Sequence, residues 1–240
     1  MKRLLAVAFA ALLLPASVSG ATQLTVFAAA SLTEVFPRID KAQRYSFAGS
    51  DQLALQIRQG APADVFASAR PKYTELAYRD GLVTKPVVFA LNRLIIVVPR
   101  SNPAGIKGVY DLRRAGVKVV IGDKSVPIGS YTRQILDTLG ITNDVMANVV
   151  SQETDVKGIV SKVALDEADA GLVYRTDARP VASRTRTIAL PAWAQPPIRY
   201  EIAVVKAGPH PVAARAYVKR VTSKHGRKLL AGAGFGLPKK

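Results

Sequence analysis

Four short segments set a small or polar residue, or a turn, just ahead of a helical pattern: Ala30-Ser31, Gly49-Ser50, Pro127-Ile128-Gly129 and Thr154-Asp155-Val156. The first turn of a helix leaves backbone N–H groups without intrahelical partners and carries a partial positive charge. Such a start suits an anion. A serine there can act twice, its oxygen accepting from a backbone N–H while its hydrogen points at a ligand oxygen. The same residues also have ordinary structural uses. Ser31-Leu32-Thr33-Glu34 matches a capping box, and Ser50 matches a helix N-cap. Nothing in the spacing along the chain brings the four segments together.

Catalytic sets are poorly represented. His210 and His225 are the two histidines, and both lie near the C-terminus, away from any strand-end serine. There is no G-x-S-x-G elbow, no H-E-x-x-H pair and no G-x-x-x-x-G-K phosphate loop. The acidic cluster Asp166-Glu167-Asp169 reads as the exposed end of a helix before a buried strand, without the ligand spacing of a metal site.

The elements that must position these segments alternate. Gln23–Ala28 reads as a buried strand, and Ser31 opens a helical stretch. Tyr45–Phe47 reads as a second strand, and Ser50 precedes a helix stopped by Gly60. Asp64–Ala67 is a third strand, and Pro71–Asp80 a helix ended by Gly81. This rhythm predicts an α/β lobe with a mostly parallel sheet. Leu94–Val98 is an apolar, β-branched run closed by Pro99. The rhythm then resumes: strand Val117–Ile121, helix Ile128–Leu139 with Gly140 past its end, strand Val145–Val150, helix Thr154–Asp166 and strand Ala170–Tyr174. Ala182–Ile188 reads as basic and irregular. Tyr200–Val205 reads as a strand that returns to the first lobe, and His210–Leu230 as one amphipathic C-terminal helix.

The ends and the charge narrow the class. Lys2 and Arg3 precede the apolar run Leu4–Leu14 and a small-residue stretch, the layout of a cleaved secretory signal over residues 1–21. The eleven-residue run is well short of the roughly 20 that span a bilayer. The chain has no cysteine, so disulfides, thiolate metal sites and a lipid-modified cysteine at the junction are not expected. The formal net charge is +17, of which Lys2 and Arg3 carry two, leaving +15. Such an excess favours anionic partners. The basic residues are scattered, and export speaks against nucleic acid.

Seven segments, in order, carry a family resemblance: VFAAASLTEVF (Val26–Phe36), SFAGSDQLALQI (Ser46–Ile57), GAPADVFASA (Gly60–Ala69), LNRLIIVVP (Leu91–Pro99), IGDKSVPIGSYTRQIL (Ile121–Leu136), TDVKGIVSKVALDEADAGLVYRTDA (Thr154–Ala178) and GFGLP (Gly234–Pro238). Together they resemble the periplasmic molybdate-binding proteins of ABC-type uptake systems over nearly the whole chain. The resemblance implies the α/β type II periplasmic-binding-protein fold, two α/β lobes with a hinge and a ligand cleft between them. It places lobe I at 22–88 and 207–240, lobe II at 89–206, and hinge strands near 89–99 and 199–206.

The resemblance also implies a site of neutral donors for molybdate or tungstate. These are the hydroxyls of Ser31, Ser50 and Tyr174 and the backbone N–H groups of Ile128 and Val156. Asp51 and Gln52 stand where the family tends to have small hydroxyl residues, Ile128 where it tends to have alanine, and Arg175 adds a charge beside Tyr174. The segment between Ser31 and Phe47 is shorter than in the family. The expectation is therefore a monomeric, periplasmic, non-enzymatic binding protein with no cofactor and no lipid anchor, serving a membrane permease. Another oxyanion such as sulfate or phosphate is the alternative ligand, and a hydrolase using Ser31 is the alternative class.

Overall fold

A computed structural model describes residues 22–239; the signal segment expected over 1–21 lies outside them. The first strand, β1 (Thr25–Ala29), is apolar on both faces and buried almost throughout. It pairs in parallel with β2 (Arg44–Ala48) and with β3 (Val65–Ser68). Between β1 and β2 lie a 3-10 turn, Ala30–Leu32, and the single-turn helix α1 (Phe36–Ile39). Helix α2 (Ser50–Arg58) joins β2 to β3, and α3 (Pro71–Arg79) follows β3. Buried parallel strands with helical crossovers are the arrangement that continuous apolar runs favour.

Strand β4 (Val87–Asn92) ends one sheet, and after Arg93 alone the chain enters β5 (Leu94–Pro99) of a second. The second sheet adds β6 (Val119–Gly122), β7 (Val149–Glu153), β8 (Ala170–Tyr174) and β9 (Thr185–Ala189). Its helices are α4 (Pro127–Thr138), α5 (Thr142–Met146), α6 (Val156–Ala164) and the single turn α7 (Arg175–Ala178). The chain returns to the first sheet through β10 (Ile198–Val204), which runs antiparallel between β3 and β4. Strand order is β2-β1-β3-β10-β4 in the first sheet and β7-β6-β8-β5-β9 in the second. Both sheets follow one plan: three parallel strands, an antiparallel fourth, and a fifth that reverses again. Two segments cross between the sheets, one at Arg93 and one between β9 and β10.

One apolar cluster runs through both lobes, from Val26 and Phe36 to Leu94, Ile121 and Leu172. A second fills the other face of the first sheet, where Phe27 and Phe66 pack with Leu53 and Ile57 of α2. The last helices, α8 (Pro211–Thr222) and α9 (Lys224–Gly232), close the first lobe.

Five sequence expectations change, one of them at Ser50, which is the first residue of α2 and caps nothing, Gly49 holding the N-cap position. His210–Leu230 is two helices rather than one. Ser223 leaves the helical conformation and its hydroxyl accepts from Gly226 N–H at 3.2 Å, starting α9 as an N-cap. Val145–Val150 is not a strand. Val145 is the buried face of α5, and the Asn148 side chain donates to Leu112 and Arg114 carbonyls at 2.8 Å, so β7 begins only at Val149. The basic stretch 182–188 is not irregular throughout. Thr185–Ala189 forms the edge strand β9 against β5 and keeps Arg186 in solvent, as edges commonly do. Ser31–Glu34 forms no capping box, because Ser31 sits inside the 3-10 turn and no side chain caps it.

Phe36 anchors the first lobe. It is fully buried, with the rings of Phe89, Tyr217 and Tyr45 at 5.8, 6.2 and 6.3 Å. Phe36→Ala is expected to cost about 3–5 kcal/mol, read as a lower urea midpoint at unchanged m-value.

Candidate functional site

The four helix and turn starts singled out above converge. Residues from all four line one small cavity between the lobes, with about 20 Å³ of room for the centre of a water-sized sphere. That exceeds what one water needs and is far too little for a sugar or a peptide. Ser31, Ser50, Ile128, Val156 and Tyr174 all line it, and all are buried. Larger grooves exist, such as one of 460 Å³ beside Arg93 and Arg175. They gather none of the four starts.

Each donor is set by its element. Ser50 is the first residue of α2, and its hydroxyl oxygen accepts from Ala69 N–H at 3.1 Å. A backbone N–H can only donate, so the Ser50 hydrogen is left for the cavity. Pro127 opens α4 without an N–H of its own, and the next residue, Ile128, presents an N–H with no intrahelical acceptor. Asp155 caps α6, accepting from Lys157 N–H at 2.7 Å and Gly158 N–H at 3.2 Å. This takes the second and third N–H groups of the helix and leaves the first, that of Val156. Tyr174 ends β8, and its hydroxyl is buried with no hydrogen-bond partner. Burial pushes its phenol well above the usual tyrosine range, so the hydroxyl keeps its hydrogen. The Ser31 hydroxyl lies 2.8 Å from that of Tyr200.

No lysine or arginine lines the cavity, and Asp155, its carboxylate engaged as a cap, is the one carboxylate that does. Small residues make room for close backbone approach. A Cβ on Gly129 would start 2.2 Å from Gly122 O, which is why α4 can begin against the end of β6. A Cβ on Gly49 would meet Thr154 O at 2.7 Å and Val126 Cγ1 at 3.0 Å, both across the cleft.

Around the mouth the lobes hold each other. Ser125 donates to Asp51 Oδ2 at 3.0 Å, and the Tyr73 hydroxyl donates to Ser125 O. Arg70 bonds the Ser130 hydroxyl and lies 5.3 Å from the centre of the Tyr131 ring. Lys157 pairs with Glu34 at 3.5 Å across the cleft and with Asp177 at 3.1 Å on its own side. Thus Asp51 engages Ser125 at the rim and is not among the cavity-lining residues. Arg175 also stays outside the cavity: its guanidinium donates to Gly234 O at 2.7 Å. Glu34, read as a capping partner of Ser31, spans the cleft instead.

Sequence reasoning named Gly49 and Asp155 within two helix starts without their roles, the close approach across the cleft and the helix cap, and it missed Ala69 N–H and Tyr200. Asp155 did carry a signal, an Asp one residue before the helix. Tyr200 carried none, since 169 residues separate it from Ser31.

The bacterial extracellular solute-binding protein family matches residues 24–236. The molybdate-binding protein ModA of Mycobacterium tuberculosis is 41% identical over 229 residues, spanning 91% of this chain and 86% of that protein. ModA of Haemophilus influenzae is 32% identical over 254 residues, spanning 98% and 99%. Among solved structures, the periplasmic molybdate-binding protein of Azotobacter vinelandii is similar with a TM-score of 0.81 at 21% identity, over 90% of this chain and all of that one. That likeness shows the fold, the two-lobed α/β architecture of periplasmic binding proteins.

The fully buried Asp177 generates a pH test. Burial pushes its carboxyl up to about 6 in spite of Lys157, against about 3.9 for a free carboxyl. The folded chain therefore binds this proton more tightly than the unfolded chain. Stability from this group is greatest below about pH 4 and falls as pH rises towards 6. Asp177→Asn is expected to flatten that part of the profile, read from urea unfolding of both proteins at pH 4, 5, 6 and 7.

Proposed function

The chain belongs to the bacterial extracellular solute-binding protein family, and we propose that it captures molybdate or tungstate and delivers it to an ABC-type membrane permease. The observation that carries this reading is the Tyr174 hydroxyl, buried in the cavity with no partner in the protein. A buried polar hydrogen without an acceptor costs free energy, which a ligand oxygen would recover. Ser50 adds a second free hydrogen, and Ile128 and Val156 add N–H groups at helix starts.

A cavity of donors without a cation suits a fully deprotonated oxyanion. Hydrogen bonds to an ionised acceptor are about twice as strong as neutral ones, and helix starts add partial positive charge. Neutral donors also avoid a buried, unpaired lysine or arginine when the cleft is empty. Phosphate carries a proton near neutral pH and would meet donors with a donor, leaving polar groups unpaired. Sulfate offers the same acceptors on a smaller ion, and the binding test below separates the two. The close pairs ModA of M. tuberculosis and ModA of H. influenzae, named for molybdate, support this choice.

In this reading the chain works in the periplasm as a monomer, after loss of a signal over 1–21, with no lipid anchor. The lobes close by hinge motion at the two crossings, Arg93 and the segment between β9 and β10, since a few residues suffice for such motion. The contacts of Asp51, Arg70, Tyr73 and Lys157 across the mouth belong to the closed form. Excess positive charge steers anions to the protein. The protein performs no catalysis. Ser31 is bonded to Tyr200, whose phenol burial keeps protonated, so its partner is a poor general base.

Thermal unfolding with molybdate, tungstate, sulfate and phosphate in turn tests the ligand. At about 100 times its dissociation constant the true ligand adds roughly 2.7 kcal/mol. A shift with sulfate and none with molybdate or tungstate overturns the assignment. Ser31→Ala and Tyr174→Phe each remove a donor to a charged acceptor, about 1.5–3 kcal/mol. Each is expected to weaken molybdate binding about 10- to 100-fold in calorimetric titration, with the unliganded fold intact.

A further inference from the structure

We infer that Tyr200, oriented by Asn92, is a positioning residue that makes the Ser31 hydroxyl an obligatory hydrogen-bond donor to the ligand. This rests on the reading of the cavity as an oxyanion site.

The inference follows from where each hydrogen can go. A serine hydroxyl is a rotor that can donate or accept, so Ser31 alone would serve a protonated ligand as well as a bare one. The direction is settled one step back. Arg93 N–H, which can only donate, points to Asn92 Oδ1 at 2.9 Å. That contact fixes the orientation of the Asn92 amide. Its Nδ2 then faces two oxygens, Thr176 Oγ1 at 3.0 Å and Tyr200 Oη at 3.3 Å. The amide nitrogen carries two hydrogens and so serves both.

Thr176, accepting from Asn92, has its own hydrogen for the Asp177 carboxylate at 3.4 Å. Tyr200, accepting from Asn92, has its own hydrogen for the second partner of its hydroxyl, Ser31 Oγ at 2.8 Å. Burial holds the phenol protonated, so that hydrogen is always present. Ser31 therefore accepts from Tyr200, and its hydrogen turns to the cavity.

Ser50 reaches the same state by a shorter route, since Ala69 N–H occupies its oxygen. The two serines are made donors by different devices. One is a local backbone amide. The other is a side-chain relay from Asn92 at the end of β4 and Tyr200 on β10, the strands beside the two crossings. At both serines one lone pair is engaged by the protein and the hydrogen is aimed at the cavity, which favours a ligand oxygen without a proton.

The test is a double-mutant cycle in the mature protein, titrated with sodium molybdate. Tyr200→Phe keeps the ring and removes the relay. It is expected to weaken molybdate about tenfold, the worth of one oriented hydrogen bond. In a Ser31→Ala background the same change is expected to alter affinity less than about twofold, because Tyr200 acts through Ser31. A merely structural tyrosine would lower affinity equally in both backgrounds, and that result overturns the inference.

Asn92→Asp supplies a second route if Tyr200→Phe does not fold. A carboxylate accepts where the amide donated, which reverses the relay and turns the Ser31 lone pairs to the cavity. The ratio of molybdate to phosphate affinity is expected to fall at least tenfold; an unchanged ratio overturns the relay. A wild-type protein that binds molybdate while the cycle fails sinks the relay alone. A wild-type protein that binds none of the oxyanions sinks the reading of the cavity and the relay together.

Discussion

Holding an anion away from water without a buried cation depends on hydrogens that have nowhere else to go. This constraint orders the whole cleft. Two candidate donors are made available by a neighbour that takes up the competing role. Ala69 N–H occupies the oxygen of Ser50, and the Asp155 carboxylate takes the second and third N–H groups of α6 so that Val156 is left. Tyr174 is simply denied a partner by burial. None of these groups carries a formal positive charge, and the large basic excess of the chain lies outside the cavity. The basic charge of the chain and the uncharged donors of the cavity thus occupy separate places in the molecule.

The two sheets make the convergence possible. They share one strand plan, and the strand ends β1, β2 and β8, with the starts of α2, α4 and α6, meet between them. In open α/β sheets ligands sit at the carboxyl ends of the strands, and here two such edges face each other. Close approach is allowed by missing side chains. Gly49 sits where any Cβ would press on Thr154 O of the other lobe, and Gly129 lies against Gly122. Across the mouth, polar contacts among Asp51, Ser125, Arg70 and Ser130 join the lobes. They sit at the rim and leave the donors unengaged.

The places where local reasoning failed share a cause. Ser31 to Glu34 has the letters of a capping box, yet Ser31 bonds to Tyr200 and Glu34 pairs with Lys157. Each found a partner from a distant strand or helix that outcompeted the local one. The break at Ser223 is the converse: a serine inside an amphipathic pattern captured Gly226 N–H and began a new helix. Val145 kept its apolar face but used it on a helix, since a short apolar run does not distinguish the two.

Read alone, the sequence determined the class of element, their alternation, and the four starts suited to an anion, because helix starts and buried strands are written in neighbouring residues. Matches along nearly the whole chain determined the family. Tertiary structure decided three things that no spacing contains. It brought the four starts to one cavity. It turned Asp51 and Arg175 away from that cavity, onto Ser125 and Gly234 O. It also set Tyr200 against Ser31, a pairing across 169 residues. The physical reason is the same for all three. A hydrogen's direction depends on which acceptors surround it in space, and chain order does not record them.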